Sequence, residues 1–79
     1  MWTVYILKSE EGMNYTGMSS NFADRIIDHN SGKNYTTRRG TNWKLVYSEK
    51  CKNAKEARTR EKYFKNNAGK EWLKRRGYI

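Results

Sequence analysis

The chain has 79 residues, a net charge of +9, one cysteine and no proline. That length allows one small domain, 1–79, with a thin core, and Cys51 alone excludes both an internal disulfide framework and a cysteine-rich zinc site. No apolar run approaches the roughly 18 residues of a membrane span, and no basic-then-apolar secretory signal opens the chain. The expectation is a cytoplasmic protein with no membrane partner.

Trp2 to Lys8 alternates Trp2, Val4 and Ile6 on one face with Thr3, Tyr5 and Leu7 on the other, which predicts a strand buried on both faces. Ser9 to Asn14 reads as a turn, and Tyr15 to Met18 as a short partner strand. Gly17 within that strand marks a close backbone approach or a local kink. A hairpin folding back there brings Tyr5 and Tyr15 to neighbouring positions on one sheet. Asn21 is the expected N-cap of a helix from Phe22 to about Ser31, with Asp24 placed where a carboxylate suits the helix dipole. Phe22, Ile26 and Ile27 would face the core, and Gly32 would stop the helix.

Lys33 to Asn42 is polar and basic, a loop, and Trp43 to Ser48 alternates again as the third strand. Asn53-Ala54-Lys55-Glu56 resembles a capping box, so a second helix should run to about Asn66. A shorter third helix covers Lys70 to Arg76, anchored by Trp72 and Leu73 and stopped at Gly77. The order is ββαβαα. The fold class is α+β: a small three-stranded, mainly antiparallel sheet covered by helices.

Charge is unevenly placed. Residues 1–40 carry five basic and four acidic groups, and residues 41–79 carry twelve and four. One end is therefore a strong positive field, which favours a polyanion as partner. Lys33, Arg38, Arg39, Lys65, Lys70, Lys74, Arg75 and Arg76 can neutralise phosphates while Tyr35 stacks on an unpaired base.

Arg25 and His29 stand at i and i+4 on the first helix, so both project from one face. Arginine grips a phosphate with two donors, and histidine is the side chain best poised to move protons near neutrality. On the second helix Ala54, Ala57 and Phe64 mark an apolar stripe, and Glu61 falls within it. A carboxylate there must be paired, protonated or bound to a cation. A structural salt bridge is one reading. Ligation of Mg²⁺, which needs only one carboxylate beside waters and substrate phosphate, is the other.

Val4-Tyr5-Ile6 and Tyr15-Thr16-Gly17 resemble the two tripeptides that name the GIY-YIG nuclease family, with the first glycine and the second isoleucine replaced. Arg25-Ile26-Ile27-Asp28-His29-Asn30-Ser31-Gly32-Lys33 is similar to the R-x-x-x-H-N-x-G-K pattern of its small free-standing branch. Trp43 to Tyr47 and Glu56 to Glu61 also resemble that branch. The resemblance implies metal-dependent endonuclease-type hydrolysis of phosphodiesters with a single Mg²⁺ or Mn²⁺. Tyr15 or His29 would be the base, Arg25 would stabilise phosphate charge, Glu61 would hold the metal, and Tyr5 would orient water or bind phosphate. The implied partner is nucleic acid, DNA in preference to RNA, recognised by structure or as single strands, with a protein partner supplying further specificity. Met18 departs from the pattern, standing where some family nucleases carry a lysine. Histidine at position 29 replaces a tyrosine of other branches. The competing class is a basic nucleic-acid-binding module without turnover, or an inactivated enzyme. Only Tyr5, Tyr15, Arg25, His29 and Glu61 as a set separate the readings.

Overall fold

The computed structural model describes residues 1–30 and 40–79. Three strands, β1 (Trp2–Lys8), β2 (Asn14–Ser19) and β3 (Lys44–Cys51), form one antiparallel sheet in the order β2-β1-β3. Three helices, α1 (Phe22–Asn30), α2 (Ala54–Lys65) and α3 (Asn67–Arg75), complete the order ββαβαα and the α+β class. The expected Ser31 and Gly32 end of α1 lies outside the described residues.

Central strand β1 is buried on both faces, as its alternation requires. Val4 and Ile6 join Cys51, Ala57, Phe64 and Leu73 in one cluster, and Tyr5 and Leu7 join Trp43 in another. Helices α2 and α3 therefore close one face while α1 covers the other. Ile27 departs from expectation: it is 63% exposed, while Phe22 and Ile26 pack on the second cluster. Ile27 follows Ile26 by one residue, about 100° around the helix, and α1 is too short and too peripheral to bury both.

Strand β3 reaches Cys51, three residues beyond the predicted end, and its pairing with β1 slips between Ile6 and Leu7. Ile6 faces Tyr47 and Leu7 faces Leu45, so Val46 is the extra residue of a β-bulge. Arg60 of α2 grips Glu49 of β3 with two donors at 2.7 and 3.1 Å, and the Tyr47 hydroxyl donates to the same carboxylate at 2.8 Å. Burial and then that carboxylate push the Tyr47 phenol up to about 12.

The helix ends follow their capping chemistry. The Asn53 side chain accepts from the Glu56 N–H at 2.9 Å, as the capping box predicts. Asn66 closes α2 and opens α3, its side chain accepting from the Gly69 N–H at 3.0 Å. That double use starts α3 at Asn67 instead of Lys70. The far end is a Schellman motif: Gly77, at φ +79°, donates to Lys74 and Tyr78 donates to Leu73.

Candidate active site

Both phenols leave the sheet on the same side, because Tyr5 pairs with Gly17 and Tyr15 with Leu7. Their ring centroids are 6.3 Å apart. Gly17 lies under the Tyr5 ring: a Cβ there would stand 2.7 Å from the Tyr5 hydroxyl and 2.9 Å from Tyr15 Cε1. Any side chain would displace one phenol. The close approach expected from the sequence is therefore between Gly17 and the site itself.

Helix α1 lays Phe22, Arg25 and His29 over this pair. The Phe22 ring packs 5.3 Å from Tyr5, and the His29 ring 4.6 Å from Tyr15. His29 is buried to 1% exposure, and its Nε2 is 3.0 Å from the Tyr5 hydroxyl. Burial first, then the Arg25 charge, hold His29 below its ordinary value of 6.5. Burial raises Tyr5, against the lowering effect of Arg25. At neutral pH the imidazole is thus uncharged and the phenol keeps its proton. The Tyr5 hydroxyl and Nε2 therefore share one neutral hydrogen bond, whose donor is set by the imidazole tautomer. The interaction of Arg25 with the Tyr5 hydroxyl, and more weakly with Tyr15, raises the guanidinium further.

Exposure divides the group. Tyr5 and His29 are fully buried, whereas Tyr15 and Arg25 are half-buried and open to solvent. Tyr15 is accordingly the phenol that a water or phosphate can reach. Met18, paired with Val4, points to the opposite face and packs on the Val4–Phe64 cluster. Its side chain belongs to the core of the domain, away from the phenols.

Glu61 comes from α2, between buried Ala57 and Phe64, at the margin of the apolar stripe. Its side chain is 20% exposed, and among the described residues its one ion pair is with Lys65 at 3.8 Å. A contact that long to an exposed lysine contributes little. The carboxylate is near enough to Tyr5 for its charge to help raise that phenol. Among the described residues no three His, Cys, Asp or Glu side chains form a metal-holding group. Glu61 therefore offers a single carboxylate, and an ion held there would take its other ligands from water and phosphate.

Lys65 and Lys70 are exposed near the α2–α3 junction and line a groove that Tyr15 and Thr16 also line. Lys33, Tyr35, Arg38 and Arg39 lie outside the described residues. Two contributors were not anticipated. The Asn30 side chain accepts from the Trp43 N–H at 2.8 Å and donates to the Trp43 carbonyl at 3.2 Å. Trp43 in turn packs edge-on against Tyr15, centroids 6.5 Å apart. The available signal was an asparagine ending a helix beside the candidate histidine, with a large aromatic at the next strand's start.

A family model described as GIY-YIG catalytic domain matches residues 1–76. The chain is 44% identical over 63 residues to a UPF0213 protein of Desulfotalea psychrophila, covering 76% of this chain and 56% of that protein. It is 47% identical over 64 residues to a UPF0213 protein of Clostridium perfringens, covering 78% and 68%. With a UPF0213 protein of Staphylococcus haemolyticus the figures are 40% over 74 residues, 90% and 88%. The chain thus spans little more than half the length of the first of these relatives. No solved structure matches at comparable significance.

Proposed function

The chain belongs to the GIY-YIG family, and from that premise we propose that it is a metal-dependent endonuclease hydrolysing phosphodiester bonds in DNA, recognising structure or single strands. The observation that carries the reading is the convergence of Tyr5, Tyr15, Arg25 and His29, with Tyr5 and His29 bonded at 3.0 Å behind a solvent-facing Tyr15.

In this mechanism Tyr15 takes the proton of the attacking water. Arg25 offers paired donors to the phosphate as negative charge grows on it. Tyr5 is a positioning residue: anchored to His29, its hydroxyl bonds Arg25 and steadies the guanidinium. Glu61, joined by waters and a phosphate oxygen, would hold a single Mg²⁺ or Mn²⁺, which supplies Lewis-acid charge at the leaving 3′ oxygen. Lys33, Tyr35, Arg38, Arg39, Lys65 and Lys70 would bind the nucleic acid, and a protein partner would add specificity to so small a domain.

A second reading, a basic binding module without turnover, draws on the full burial of Tyr5 and His29. Labelled single-stranded, duplex and branched DNA incubated with Mg²⁺, Mn²⁺ or chelator decides between them. Metal-dependent products are expected from the wild type. Tyr15→Phe should lose about 10²–10⁴-fold in rate, the usual worth of a general base. Glu61→Gln should abolish metal-dependent cleavage while sparing DNA binding. Cleavage by neither wild type nor variants supports the binding module, and normal cleavage by both variants rejects the assigned roles.

A further inference from the structure

The lysines of the α2–α3 junction do not simply add to a diffuse positive field. A groove of about 640 Å³ runs between β2 and these helices, with Tyr15 and Thr16 contributed by the strand and Lys65, Lys70 and Lys74 by the helices. Lys70 and Lys74 are one turn apart on one face of α3. Among the described residues neither has a carboxylate partner, and Lys65 has only the loose contact with Glu61 at 3.8 Å. The other basic groups of α3 turn elsewhere. Arg75 pairs with Glu71 at 3.4 Å, and the Arg76 guanidinium stacks 4.3 Å from the Trp72 ring centroid. Two lysines without a carboxylate partner among the described residues, and a third only loosely paired, therefore share one concavity that Tyr15 also lines.

Its size restricts what can enter. The volume falls in the range of small-molecule pockets, about 300–1,000 Å³, enough for a nucleotide or two of a single strand. A duplex is a rod whose major groove alone is about 12 Å wide, much broader than a single strand. We propose that this groove guides an unpaired nucleic-acid strand, held by its phosphates, to the Tyr15 side of the site. The inference rests on the nucleic-acid reading above and adds to it the path of the strand.

The test is fluorescence anisotropy in chelator, which prevents cleavage, with a dye-labelled oligothymidylate and a blunt duplex of equal length. Two double variants remove the same charge from opposite sides of α3: Lys70→Gln/Lys74→Gln in the groove and Arg75→Gln/Arg76→Gln outside it. All four side chains are exposed, so both variants should fold, which circular dichroism checks. The single strand should bind more tightly than the duplex. The groove variant should flatten its log–log salt slope by about 1.4, roughly 0.7 per lysine, while the outer variant changes it little. Equal effects of the two variants, no effect of the groove variant, equal binding of duplex and single strand, or equal competition by polyglutamate would each overturn the proposal. Failure of the wild type to cleave, with this binding pattern intact, defeats the nuclease reading and leaves the groove standing. Cleavage that persists while the groove variant binds normally defeats the groove alone.

Discussion

The buried contact between Tyr5 and His29 makes one histidine a sensor of acid. Its folded pKa lies below 6.5, so the unfolded chain binds a proton more readily than the native one. The stability gained by keeping the ring neutral is complete above about pH 6.5 and is lost as pH falls through the lower folded value. His29 is the only histidine, so this window is otherwise quiet. The melting temperature should fall between pH 7 and pH 5 in the wild type and fall less in His29→Gln, whose amide can still bond Tyr5 without titrating. Identical pH slopes in the two proteins would mean that His29 is not held neutral. The residues of this cluster were legible in the sequence, since alternation put Tyr5 and Tyr15 on one face and helical spacing paired Arg25 with His29. Their burial was not legible. It depends on how α1 docks, and the same dependence exposed Ile27 where periodicity placed it in the core.

The β1–β2 hairpin is the element on which the site depends most directly. Gly17 serves it through the space it leaves empty. Gly17→Ala puts a methyl against the Tyr5 hydroxyl and the Tyr15 ring. Overpacking of this kind costs about 1–3 kcal/mol, which in a small domain lowers the melting temperature by about 4–8 °C per kcal/mol. Thermal unfolding measures that loss, and an unchanged transition would show that both rings can yield. Element types and order were readable because β1 and β3 alternate and Asn53 to Glu56 carries a capping signal. The start of α3 was misplaced because one asparagine, Asn66, closes one helix and opens the next. The extent of β3 was short because charged Glu49 and Lys50 break its apolar alternation, although they pair with Val4 and Thr3.

Across the whole molecule the dominant quantity is charge, twelve basic groups against four acidic ones in residues 41–79. DNA affinity should fall with salt along a log–log line of slope about −0.9 per phosphate contacted on duplex and about −0.7 on single strands. A flat response in an electrophoretic or anisotropy titration would remove the nucleic-acid reading altogether. Composition announced this field but not its geometry, because only packing turns Arg76 onto Trp72 and leaves Lys70 and Lys74 beside Tyr15. The strand order β2-β1-β3 carries a further consequence, in time. Central β1 meets β2 through partners as near as Lys8 and Asn14, but meets β3 through partners as distant as Trp2 and Cys51. Closing the longer loop costs more chain entropy before any contact repays it. Tyr5, Tyr15, Gly17, Arg25 and His29 all lie in the local segment, while Glu61 lies beyond the long connection. The proton-handling half of the site should therefore assemble first and wait for its cation-holding half. Stopped-flow chevrons would record this as hairpin substitutions that slow folding and α2 or α3 substitutions that chiefly hasten unfolding.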